Sequence, residues 1–156
     1  MLELAAARGG AIVLMHMQGT PKTMQDSPTY TDVVQEVEQF LCGRAEAAMA
    51  AGVQRNRILL DPGIGFAKTA EHNADVLESI ALYHGLGCPV LVGPSRKSFI
   101  ANFSAEEAVG ERLPGSIAAA IWGASQGVQA LRVHDVAETT QALAVWRTAS
   151  DPSGPR

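Results

Sequence analysis

Apolar residues along this chain come in two rhythms. Four short continuous runs, at 11–17 (AIVLMHM), 58–60 (ILL), 89–92 (PVLV) and 128–133 (VQALRV), read as strands. Between them, apolar positions recur at helical spacing. Asp32 opens a helix with Gln35 three residues on as a capping-box-like partner, and Val33, Val37, Phe40, Leu41, Ala48 and Met49 keep the period until Gly52. A second helix is predicted over 70–83, with Val76, Leu77, Ile80 and Ala81 apolar and Gly85 near its end. Gly93-Pro94 breaks the third strand. A short helix over 97–103 then leads to an alanine-rich one over 115–125, and the last helix covers 137–148. Residues 18–30 form a polar loop rich in Pro, Thr and Ser, and the tail 151–156 (DPSGPR) is expected to be disordered.

Strand and helix thus alternate four times, which predicts parallel strands joined by right-handed crossovers. Continuous apolar strands are expected where both faces of a sheet are covered. A doubly wound sheet and a piece of a (β/α)₈ barrel both satisfy this order. No G-x-G-x-x-G or G-x-x-x-x-G-K-[ST] follows any strand, so the usual nucleotide fingerprints are missing.

The polar residues separate the two folds. They gather after every strand: Met15, His16 and Gln18; Asp61 and Phe66; Ser95, Arg96, Lys97 and Ser98; Arg132, His134 and Asp135. Chemistry at four strand ends on one side is the arrangement of a barrel's catalytic mouth. Helix caps and surface ion pairs would scatter such groups instead.

Composition narrows the classes. At 156 residues, 47% apolar and 18% charged with net charge −4, the chain is one globular domain's worth, with neither a basic nucleic-acid surface nor an acidic tail. The apolar run at 11–17 is too short to span a bilayer, and residues 1–10, with Glu3 and Arg8 among alanines, lack a signal peptide's layout. Cys42 and Cys88 have no C-x-x-C spacing, which argues against a zinc site or disulfide framework and for a reducing cytoplasm.

Individual residues suggest chemistry. In "LLDPGIGFAK" an apolar run stops at Asp61 and passes into Pro62, Gly63 and Gly65. Asp61 either caps its own turn or presents a carboxylate at the strand's end, where burial demands donors. Beside the positive groups it reads as an acceptor for paired N–H donors of a ligand. In "LRVHD", Arg132 and His134 are two apart and point to one face of a strand, a site for phosphate or pyrophosphate oxygens. In "GPSRKS" the strand gives way to a helix whose first turn holds Ser95 and Ser98, where free N–H groups favour an anion such as a carboxylate. Lys97 adds a compact charge that is equally compatible with a solvated position. Met15 and Phe66 can wall a flat ring or serve as core. His16 reads as a core or supporting histidine, and His72 and His84 need no role.

Together "LMHMQGTPKTM", "LLDPGIGFAK", "VGPSRKSFI" and "LRVHDV" resemble, in order and with matching spacing, the motifs of the dihydropteroate synthase (pterin-binding) family, and they cover nearly the whole chain. The resemblance implies a (β/α)₈ barrel enzyme of folate synthesis. Such an enzyme joins 6-hydroxymethyl-7,8-dihydropterin diphosphate to p-aminobenzoate and releases pyrophosphate. It implies that Asp61 binds the pterin's aminopyrimidine edge, Lys97 its carbonyl and imine side, and that Met15, Phe66 and Gly93 line the ring slot. Ser98, with Ser95 close by, would meet the p-aminobenzoate carboxylate, where sulfonamides compete. Arg132 and His134 would hold the diphosphate. It further implies a homodimer when full length, working without nucleic acid or membrane.

A whole barrel needs about 250 residues and eight units, and this chain holds four. The expected fold class is therefore α/β, four consecutive β/α units over 1–150 forming the C-terminal half of a TIM barrel, with Met1 falling inside the fourth helix. A native short N-terminal helix is the alternative. The resemblance assigns Mg²⁺ to the full enzyme, its protein ligand lying in the absent N-terminal half. Two further readings stand beside the synthase. One is a catalytically inactive fragment or half-barrel interaction module. The other is a pterin binder like methyltetrahydrofolate methyltransferase, which gives no reason for "GPSRKS" and "RVHD" to occur together.

Overall fold

The computed structural model describes residues 1–20, 24, 26–105 and 108–150. The expected disordered tail, 151–156, lies outside them. The elements run α1 (Leu2–Arg8), β1 (Ile12–Met15), α2 (Val33–Ala50), β2 (Ile58–Asp61), α3 (Ala70–Glu78), β3 (Leu91–Val92), α4 (Ser98–Asn102), α5 (Leu113–Ser125), β4 (Ala130–Leu131) and α6 (Val136–Ser150).

Local chemistry sets most boundaries. The Asp32 side chain accepts the Gln35 N–H, as expected at a helix start, but the reciprocal contact comes from Glu36, whose Oε1 accepts the N–H of Thr31 at 2.7 Å and of Asp32 at 3.3 Å. Thr69 opens α3 with a full capping box whose partner is His72, so His72 has a structural role that its spacing did not suggest. The helix expected over 70–83 ends early and tightens into a 3₁₀ turn at Ile80–Leu86. In that geometry residues three apart eclipse, so Ile80 and Tyr83 both reach the core and are fully buried. The third and fourth strands are shorter than expected. Pro89 has no N–H for a ladder, and the N–H of Val90 is taken by the Gln129 side chain rather than by backbone.

All the strands run parallel, and their order in space follows their order in the chain. β1 pairs with β2 from Ile12↔Ile58 to Met15↔Asp61, Leu60 bridges to Val90, and β3 pairs with β4 through Leu91↔Ala130 and Val92↔Leu131. One face carries Leu14, Ile58, Leu60, Val90 and Val92, buried against Val33, Val37 and Leu41 of α2, Val76 of α3, and Phe99 and Ile100 of α4. The opposite face carries Val13, Leu59, Leu91 and Ala130. Val13 is 46% exposed and the other three are half-buried. Full cover on both faces, expected from the continuous apolar runs, is therefore absent: among the described residues the helices cover one face only. Because side chains alternate along a strand, that uncovered face continues at its C-terminal rim into Met15, Asp61, Gly93 and Arg132. The site grows from this rim.

Candidate active site

Asp61 is 1% exposed and uses its two oxygens differently. Oδ1 accepts the Gly63 N–H at 2.8 Å, capping its own turn, while Oδ2 accepts from the Arg132 guanidinium at 2.9 Å. The turn cap expected of this residue is thus present, and the second oxygen is met by a donor of this chain. Burial raises the carboxyl's pKa, and the Gly63 N–H and the charges of Arg132, Lys68 and Lys97 pull it back down. The turn needs glycine: Gly63 has φ 72°, and a Cβ there would lie 2.0 Å from the His16 carbonyl oxygen.

Lys68 braces the loop from beneath. The residue is 4% exposed, and its ammonium reaches His16 Nδ1 at 2.9 Å and the carbonyl oxygens of Gly63 and Phe66 at 3.2 Å each. Burial pushes this lysine down to about 7, with Asp61 opposing. His16, buried as expected for a supporting residue, is pushed down to about 4 by burial and by the Lys68 charge. Asn73 completes the brace, accepting the Gly65 N–H at 2.6 Å and donating to the Thr69 carbonyl at 2.7 Å.

The β3 and β4 ends meet across the rim. Ser95 is buried, and its Oγ lies 3.2 Å from the His134 backbone nitrogen and 3.0 Å from His134 Nδ1. Arg96, in the left-handed region at φ 59°, gives its N–H to Ser116 and its guanidinium to Asp135, which holds the Asp135 carboxyl below its ordinary range. Lys97 extends its ammonium over the Phe66 ring, 3.7 Å from the centroid. Burial and the nearby Arg132 lower the Lys97 pKa, and Asp61 opposes them. Arg132 lies flat across Gly93, where a Cβ would come within 3.0 Å of its Nε.

Met15, Phe66, Gly93, Ser95, Lys97, Arg132, Val133 and His134 line one cleft of about 340 Å³, within the range of small-molecule sites. Asp61 sits beside it through Arg132. Three expectations change. Ser95 is not in a helix's first turn, because α4 begins at Ser98, and its hydroxyl is engaged by His134. Ser98 is exposed and outside the cleft lining, at the start of a helix only five residues long. Arg132 and His134 follow β4 rather than belong to it, and Arg132 is paired with Asp61. Lys68, Asn73 and the Arg96–Asp135 pair were not anticipated; the signal for Lys68 was a lysine closing a glycine-rich apolar loop.

The family model described as pterin binding enzyme matches residues 1–134. The chain belongs to this family. Among its relatives, the dihydropteroate synthase of Escherichia coli (strain K12) is 45% identical over 144 residues, which are 92% of this chain and 51% of the relative. The dihydropteroate synthase of Thermus thermophilus, solved alone, with 4-aminobenzoate and with 6HMPPP, superposes with a TM-score of 0.90 at 45% identity. That match covers 95% of this chain and 59% of the Thermus chain solved alone. The Yersinia pestis enzyme in a sulfonamide drug complex gives a TM-score of 0.91 at 41% identity, covering 96% and 54%. The chain spans about half the length of the curated relatives it matches.

Proposed function

We propose that this chain supplies the pterin-binding, C-terminal half of a dihydropteroate synthase barrel. In the assembled enzyme the amine nitrogen of p-aminobenzoate attacks the methylene carbon of dihydropterin diphosphate. The carbon–oxygen bond breaks, pyrophosphate leaves with the electron pair, and the amine gives up a proton. The observation that carries the reading is the buried Asp61 carboxylate, one oxygen fixed by its own turn and the other held, among the described residues, by a half-exposed arginine. A pterin's paired N–H donors would replace Arg132 on Asp61 and free the guanidinium for the diphosphate. Arg132, once released, and His134 would then stabilise charge on the leaving group.

On this reading Lys97 and Phe66 would border the slot for a flat ring, with Met15 and Gly93 as its other walls. The p-aminobenzoate carboxylate would lie toward exposed Ser98, where sulfonamides compete. The half-barrel reading is supported by parallel strands in chain order and by an apolar face left uncovered. Both cysteines are free thiols, in keeping with a cytoplasmic protein.

For Mg²⁺ the described residues offer no group of three or more His, Cys, Asp or Glu side chains that could hold it. On this reading its protein ligand belongs to the other half of the barrel. A second reading, a non-catalytic half-barrel that binds a partner, is favoured by exposed Val13 on that uncovered face.

The test is a titration of dihydropterin diphosphate into this chain mixed with the N-terminal half of a relative's barrel. Asp61→Asn, which leaves one acceptor where a carboxylate offers two, is expected to abolish binding. Retention of near-parental affinity would count against the assignment.

A further inference from the structure

We propose that Ser95 is a positioning residue: its hydroxyl donates to Nδ1 of His134 and so holds that imidazole as the Nε2–H tautomer, with this N–H presented to the cleft. Ser95 is only 3% exposed, and among the described residues its hydroxyl oxygen meets two groups, the His134 backbone nitrogen at 3.2 Å and His134 Nδ1 at 3.0 Å. A backbone amide can only donate, so it occupies a lone pair of the oxygen. The hydroxyl proton then needs an acceptor, and Nδ1 is the candidate within reach. If Nδ1 carried the proton instead, the oxygen would receive two donors, and its own proton would be buried without a partner among the described residues. Buried donors are rarely left so. A neutral imidazole that accepts at Nδ1 carries its proton at Nε2.

The neighbouring rung supports this geometry. Arg96, next to Ser95, pairs with Asp135, next to His134, so the β3 and β4 rims are joined at two successive positions. Because one Ser95 oxygen meets both the backbone and the ring of His134, the ring is fixed relative to its own main chain. The edge opposite Ser95 belongs to an exposed residue lining the cleft. This assigns Ser95 to His134 rather than to the p-aminobenzoate carboxylate. What the Nε2–H meets, a diphosphate oxygen, rests on the proposed function; the tautomer does not.

The test is a long-range proton–nitrogen correlation spectrum of the chain carrying isotope-labelled histidine and mixed with the unlabelled N-terminal half of a relative's barrel, with His134 assigned by its loss in His134→Gln. The parent should show an unprotonated, accepting Nδ1 and a protonated Nε2. In Ser95→Ala the two nitrogen signals should move toward one another as tautomers mix, and Ser95→Thr, which keeps the hydroxyl, should restore the parental pattern. A protonated Nδ1 in the parent, or a parental pattern in folded Ser95→Ala, would overturn the proposal. Should Ser95→Ala fail to fold, mixed tautomers in Ser95→Thr would overturn it equally. Inorganic pyrophosphate separates the two readings. A shift at His134 Nε2 supports its role as an anion donor, and no shift with the tautomer intact counts against that role while the Ser95 contact stands.

Discussion

Replacing His16 by Asn should flatten the acid limb of this chain's stability curve. Asn Oδ1 can accept from Lys68 as Nδ1 does, but it does not titrate. In the native chain burial and Lys68 hold His16 at about 4, against 6.5 for the unfolded chain. Between those values the unfolded chain binds a proton that the native one refuses, so stability is complete above the unfolded value and falls as pH drops toward 4. Integrating the linkage relation gives a loss of about 2 kcal/mol by pH 5 and about 3 kcal/mol by pH 4. That is a large share of a typical domain's total of about 5–15 kcal/mol. Asp61 acts with the opposite sign, since its raised carboxyl takes up a proton more readily in the native state, but it is present in both proteins and cancels in the comparison. Lys68, at about 7, is already largely protonated in this window. The variant also loses the ring contacts of His16 with Tyr30 and Phe40, a cost that does not vary with pH. Urea titrations from pH 7 to pH 4, read by tryptophan fluorescence, give the two curves. Parallel acid limbs in parent and Asn variant would refute the account of His16 as a histidine buried neutral.

With the complementary half present, Lys97→Ala and Arg132→Ala should each lower turnover by about tenfold or more, the loss of a charge-assisted contact of about 1.5–3 kcal/mol. Unchanged kcat/KM in a steady-state assay of both would remove them from the mechanism. Ser98→Phe should raise the KM for p-aminobenzoate and leave pterin affinity nearly intact, because Ser98 lies outside the cleft lining. A competition series with a sulfonamide reads this directly, and equal loss of both ligands would mean the two subsites are misplaced.

Apolar runs were enough to find the strands, because a buried strand must be apolar wherever its partners lie. The rim residues Met15, Asp61, Phe66, Lys97, Arg132 and His134 were legible for a related reason: polar or bulky groups stand where each run stops. Contacts between distant residues were not legible. Lys68 meets His16 across 52 residues, and Ser95 meets His134 across 39, and periodicity reports the face a side chain occupies but not what it meets there. The same gap hid the Asp61–Arg132 pair, since each residue alone suggested a ligand contact. Uncovered Val13 was hidden for another reason. A continuous apolar run is the same string whether its second face is covered by this chain or by another.

On the proposed function this chain holds half of a divided active site, and its uncovered sheet face and diphosphate-binding residues await one complementary half. Exposed apolar faces and open strand edges drive association. The direct measurement is size-exclusion chromatography followed by a pyrophosphate-release assay, on the chain alone and on the chain mixed with a separately produced N-terminal half. Alone, the chain is expected to be folded but self-associating and without turnover; mixed, it is expected to be monodisperse and active. Robust turnover by a monomer of this chain alone would contradict that expectation.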